Sequence, residues 1–153
     1  TWTWLCNRDP AAPHHDTATQ LHQQDLAPGV YGLSNAVLDT PWPKTQRLTS
    51  ALRSALPAAT RSVDWSQPLQ AALADDQPAL LDELPVTGVD AEAELALSSP
   101  FVRMPGRGYG TRSSLILRVG RTSAGQHTAE LHEWTHSPAG WSLEGPRHHR
   151  LAF

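Results

Sequence analysis

The sequence predicts an α+β fold. Segments of β-prone residues stand at both ends of the chain, two stretches with helical spacing lie between them, and no internal repeat interrupts that order. With 153 residues, 39% of them hydrophobic and 18% charged, the chain has enough apolar material for one globular core, and residues 1–153 read as a single domain.

Taken in order, Thr1 to Cys6 (TWTWLC) reads as a strand that ends at Asn7-Arg8-Asp9-Pro10. Residues 10–28 are polar, carry three prolines and include His14, His15 and His22, which predicts a solvated loop. Gly29 to Ser34 (GVYGLS) is short, apolar and bounded by turn residues, which predicts a buried strand running into Asn35. Thr40 to Pro43 then starts a helix, because Pro43 has a preset φ and needs no amide partner in a first turn. From Lys44 to Leu56 the residues Leu48, Ala51, Leu52, Ala55 and Leu56 make one apolar stripe, and Pro57 is expected to stop the helix. A second helix is expected over Ser66–Ala74, with Leu69, Ala72 and Leu73 inward and Pro68 in its first turn.

Asp75 to Glu94 holds seven acids and no base, the pattern of a surface loop, with a short helix from Ala91 to Ser98. Beyond it, Phe101–Met104 is strand-like, Pro105–Thr111 is a glycine-rich turn, and Ser113–Val119 (SSLILRV) is strongly β-prone. Gly120–Gly125 provides a hairpin connection to a partner over Gln126–Thr135, and Trp141–Phe153 supplies an edge strand.

Composition excludes several classes of function. A net charge of −3 and a pI near 6.2 give no basic surface for nucleic acid. Cys6 is the only cysteine, so neither an internal disulfide nor a thiolate cluster can form, and a reducing, cytoplasmic setting is expected. No apolar run approaches the roughly 20 residues that span a bilayer, so no transmembrane segment is expected. Because Thr1 already stands within a strand and Met104 is the only methionine, the N-terminal part of the domain is expected to be missing, and with it any upstream catalytic residue.

Two segments carry a resemblance. Gly29–Lys44 reads GVYGLSNAVLDTPWPK and Arg103–Leu117 reads RMPGRGYGTRSSLIL. Together they resemble the YGLSN…TPW.K and PGYGTRS signatures of the NRDE family, the transport and Golgi organisation protein 2 homologues, in the family's order and at about its separation. Thr1–Asn7 is similar to the strand before the first signature, so the likeness covers nearly the whole chain and matches the C-terminal portion of family members. Asn7-Arg8-Asp9 imitates the motif that names the family, but that motif stands far upstream of YGLSN in the family. Cys6 is not a substitute for the family's cysteine after the initiator methionine.

The resemblance implies an αββα sandwich like that of N-terminal-nucleophile hydrolases, present here as an incomplete one. In such enzymes a terminal Cys, Ser or Thr attacks an amide while polar groups hold the oxyanion. Asn35 and Arg112 occupy the places of an oxyanion donor and of an arginine facing the nucleophile, and are expected to share one cleft. Asn35 also suits a plain turn after a strand, and Arg112 a plain ion pair. Tyr31, Trp42 and Tyr109 are candidates for substrate contact that serve equally as wall residues. Thr1, in mid-domain by this alignment, is not expected to be a nucleophile.

The expected function is therefore pocket formation for a small amide or thioester substrate in a possible amidohydrolase, with this chain inactive alone and no cofactor implied. The alternative is a non-enzymatic protein that binds or traffics haem or lipid. Another motif, His132-Glu133-Trp134-Thr135-His136, spells H-E-x-x-H, which on a helix would bind zinc. Its surroundings predict a strand, in which four residues span roughly 13 Å, too far for both imidazoles to reach one ion. No metal is expected there, although His148 and His149 would be candidates for a third ligand on a helix.

Overall fold

The computed structural model describes residues 2–7, 21–59, 66–137, 140 and 145–153. The class is α+β, with helices between antiparallel strands. His14 and His15 lie outside the described residues.

Strand β1 (Trp2–Cys6) pairs antiparallel with β2 (His22–Leu26), placing Trp2 opposite Leu26 and Cys6 opposite His22. The solvated loop expected over residues 10–28 thus contains a strand. Its sequence, HQQDL, has no apolar alternation, and the pairing rests on the backbone ladder and on a bond from Thr3 Oγ1 to Asp25 Oδ1 at 2.8 Å.

Gly29–Ser34, expected as a strand, is irregular instead. Its backbone groups find partners close at hand. The Gly32 amide donates to Asp39 Oδ1 at 2.7 Å, the Asp39 amide donates to the Gly32 carbonyl at 2.8 Å, and Arg53 donates to the Val30 carbonyl at 3.3 Å. With these groups satisfied locally, a sheet ladder is not required.

Helix α1 runs Pro43–Ala59 and so passes through Pro57 rather than stopping before it. Pro57 withholds a donor only from the carbonyl one turn back, near the helix end and on an exposed side, where the loss is tolerable. The inward stripe is Ala51, Leu52 and Ala55, while Leu56, expected inward, is 47% exposed. Helix α2 (Ser66–Leu73) packs beside α1 and presents Leu69 and Leu73.

These helices cover one face of a three-stranded antiparallel sheet of β5 (Ser113–Arg121), β6 (His127–Thr135) and β7 (Arg147–Ala152), in the order β5-β6-β7. The core joins Ala55, Leu69, Ile116 and Trp134, with Ala51, Leu52 and Leu73 packed around it. Each side chain of Ile116's size removed from water contributes about 1.5–3 kcal/mol. Side chains alternate along β5, so Leu115, Leu117 and Val119 face away from Ile116 and are 51%, 55% and 52% exposed. One face of the sheet is thus helix-covered and the other is apolar and open.

Between helices and sheet runs the acidic stretch. Arg47 of α1 holds it, donating to Asp75 Oδ2 at 3.3 Å and to the Pro78 carbonyl at 3.2 Å. It leads into α3 (Ala91–Leu97), where the Asp90 carboxylate caps the first turn by accepting from the Ala93 amide at 2.9 Å. Arg107 pairs with Asp90 at 2.9 Å and holds its carboxyl below the usual range. That contact ties α3 to the turn Pro105–Arg107, which joins the two-residue strands β3 (Arg103–Met104) and β4 (Tyr109–Gly110).

Candidate functional site

The loop between Gly32 and Asp39 presents Asn35 at the rim of a cavity of about 230 Å³. Two features fix that loop: the reciprocal Gly32–Asp39 bonds, and the close seat of Gly32 on α1, where an added Cβ would collide with Thr45 Cγ2. Asp39 sits in the left-handed region at φ 58°, a conformation that Asp tolerates better than most residues.

Trp42, just before α1, and Lys44 in its first turn line the same cavity, and α3 brings Glu94. Lys44 Nζ lies 5.6 Å from the centre of the Trp42 ring, a cation-π geometry. Partial burial lowers the Lys44 pKa from its usual value, and the negative charge of Glu94 works against that shift. Glu94 is only 7% exposed, and its Oε1 accepts from both the amide and the hydroxyl of Thr87. A half-buried cation, a held carboxylate, a rim amide and an aromatic wall therefore converge on one small space. Such a set suits a ligand with a carbonyl or carboxylate head and a short apolar body.

Lys44 also lines a neighbouring cavity of about 240 Å³, into which Tyr31 faces. The Tyr31 hydroxyl donates to the Ala27 carbonyl at 2.9 Å.

Tyr109 and Arg112 line a third cavity, of about 300 Å³, with His136 and Phe101. His136 Nε2 lies 3.0 Å from Ser114 Oγ, its ring stands edge-on to Phe101 at 5.0 Å, and burial lowers its pKa. Arg112 is exposed at the mouth of this space. The structure thus brings Asn35 together with Trp42 and Tyr109 together with Arg112, while Asn35 and Arg112 line different cavities.

Sequence reasoning did not single out Lys44 or Glu94. Lys44 closes the TPWPK segment, where it read as part of a helix start, and Glu94 was one acid in a stretch read as solvated. Of the H-E-x-x-H segment, His132–Thr135 lie on β6, as the β-prone residues predicted, and His136 follows the end of the strand. Among the described residues, no group of three or more His, Cys, Asp and Glu is arranged to hold a metal ion.

A family model described as Transport and Golgi organisation 2 matches residues 2–135. The chain belongs to the transport and Golgi organisation 2 family. The match runs from β1 through β6 and includes Tyr31, Asn35, Trp42, Tyr109 and Arg112, as well as Lys44 and Glu94. Strand β7 follows the part matched to the transport and Golgi organisation 2 model. Among curated proteins, none matches the chain. In this family member, no helix among the described residues is long and apolar enough to cross a membrane.

Proposed function

We infer that this family member binds a small acyl compound, an amide or thioester, in the cavity of Asn35, Trp42, Lys44 and Glu94. The observation that carries the reading is the Lys44 ammonium, half-buried over Trp42 in the field of Glu94, with Asn35 at the rim. In a cavity of about 230 Å³ the carbonyl end of the ligand meets the ammonium and the Asn35 amide, and its first carbons lie on the indole. In the N-terminal-nucleophile-hydrolase reading, these groups polarise the carbonyl for attack by a terminal residue. Arg112 and Tyr109 line a cavity of their own, apart from the one that holds this ligand. The single cysteine accords with a reducing, cytoplasmic setting.

The hydroxyls at this cavity are already engaged, Thr87 with Glu94, and Ser98 with the Leu95 carbonyl and the Ala79 amide, so the enzymatic reading leaves the attack to the terminal residue. The non-enzymatic reading, lipid or haem binding, uses the same cation for a carboxylate head. The volume suits a lipid carboxylate better than a whole macrocycle.

Titration calorimetry with a short acyl thioester, its non-hydrolysable thioether analogue and a short fatty acid tests these readings. Binding of the thioether, weakened about tenfold or more by Lys44→Met through loss of a charged contact, supports the pocket. Thiol release by the protein supports the hydrolase, and binding without release supports the carrier. Equal binding by wild type and Lys44→Met removes the assignment.

A further inference from the structure

We propose that His132 and His148 form a two-imidazole clamp for a divalent transition-metal ion of the copper and zinc class, bridging β6 and β7. Register is the first argument: His132 and His148 are direct Cα partners in the antiparallel pair. Directly opposed residues put their Cβ atoms about 4.5–5.5 Å apart on one face of the sheet. Their rings are already together, with centroids 4.4 Å apart and planes at 67°.

Two imidazole nitrogens at about 2.0–2.1 Å from one tetrahedral ion stand about 3.3 Å from each other. Rings this close reach that separation by side-chain rotation, with no movement of the strands. His148 is exposed, so its ring turns without disturbing the core, while the His132 ring lies 6.3 Å from Trp134, whose side chain is 2% exposed. One arm of the clamp is therefore braced and the other adjustable.

The remaining neighbours on this face set the coordination number. Glu130, two residues before His132, faces Arg118 at 3.9 Å and Arg150 at 3.2 Å, and those contacts hold its carboxylate in an ion-pair cluster. Among the described residues, two nitrogen donors are then supplied, and water or an outside ligand completes the shell. Imidazole donors favour copper over nickel and zinc, and discriminate against magnesium. The site differs from the H-E-x-x-H reading: it joins His132 to the neighbouring strand and does not use His136.

The alternation of β7 provides an internal control, because His149 is opposite Leu131 and faces the other side of the sheet. The experiment is competition of the chain against a chromophoric chelator for Cu²⁺, Ni²⁺, Zn²⁺ and Mg²⁺. The proposal expects one ion per chain, tightest for Cu²⁺, with no Mg²⁺ binding. His148→Ala should weaken binding about a hundredfold, because a chelate loses its linked second donor. His149→Ala should leave it unchanged. His132→Gln should match His148→Ala, and the double variant should be no weaker than either single one. Unchanged binding in His148→Ala, an equal loss in His149→Ala, or losses that simply add in the double variant would each overturn the clamp.

Discussion

Gly32 and Asp39 close their loop from both ends, the Gly32 amide donating to the Asp39 carboxylate at 2.7 Å and the Asp39 amide donating to the Gly32 carbonyl at 2.8 Å. Gly32 is buried, so losing the carboxylate would strand its amide. Asp39→Ala also places an ordinary side chain at φ 58°. Together these should cost about 2–4 kcal/mol, against less than about 1 kcal/mol for Asp39→Asn, which keeps an acceptor and tolerates the conformation. Midpoints of denaturant unfolding separate the two variants.

Gly32→Ala should destabilise by about 1–3 kcal/mol through overpacking, since the new Cβ meets the Thr45 and Thr49 methyl groups. Thr45→Ser removes the nearer methyl and should recover part of that loss in the double variant. A double-mutant cycle measured by thermal unfolding shows the coupling. Simple additivity would mean that the loop lifts away from α1 instead.

At the first cavity, Glu94 is the influence that raises the Lys44 pKa against the lowering effect of burial. Glu94→Gln should therefore move the Lys44 pKa further below its ordinary value. The readout is the pH profile of acylation at Lys44, followed by peptide mass spectrometry. The variant's profile should shift to lower pH, and coincident profiles would show that the two groups are not coupled.

His136 gives a pH dependence of stability. Burial lowers its folded pKa below the ordinary histidine value of about 6.5, so the folded state binds its proton less readily than the unfolded state. The neutral ring's contribution is fully present above pH 6.5 and is lost as pH falls through the lowered folded value. Unfolding free energy should decline from pH 7 downward through about pH 6 with a slope that His136→Gln flattens. Equal slopes for both proteins would assign the decline to other groups.

The open face of the β5-β6-β7 sheet should drive association. Leu117, Leu151 and Phe153 are 55%, 65% and 70% exposed there, beside Leu115 and Val119. Such a patch on one sheet face is a site of self-association. Sedimentation velocity should show concentration-dependent oligomers of the chain, reduced by Leu117→Asp. A monomer at all concentrations would show that this face is not sticky in the isolated chain.

What the residues revealed in advance depended on whether burial had left a period in them. Strands β5 and β6 were legible because Ile116 and Trp134 alternate with neighbours suited to the opposite face, and α1 because Ala51, Leu52 and Ala55 recur at helical spacing. Strand β2 was not legible: HQQDL pairs through its backbone and buries little. Gly29–Ser34 misled in the other direction, since an apolar run looks like a strand even when Asp39 and Arg53 satisfy its backbone locally. Within the site, Asn35 and Trp42 were readable from one short segment. The meeting of Lys44 with Glu94 was not, because it arises only when α3 folds against the start of α1.

The nine-residue pairing of β5 with β6 has no bulge, so every residue of β6 from His127 to Thr135 has its face set by parity alone. One extra residue inserted inside β6 would turn Trp134, His132 and Glu130 outward together or push their neighbours inward. Core packing, the imidazole pair and the Glu130 ion-pair cluster are thus inherited as a single unit. Length variation across this hairpin should be confined to the Thr122–Gln126 turn, where the Gln126 carbonyl accepts from the Thr122 amide at 2.8 Å and added residues would loop outward without changing the count on either strand.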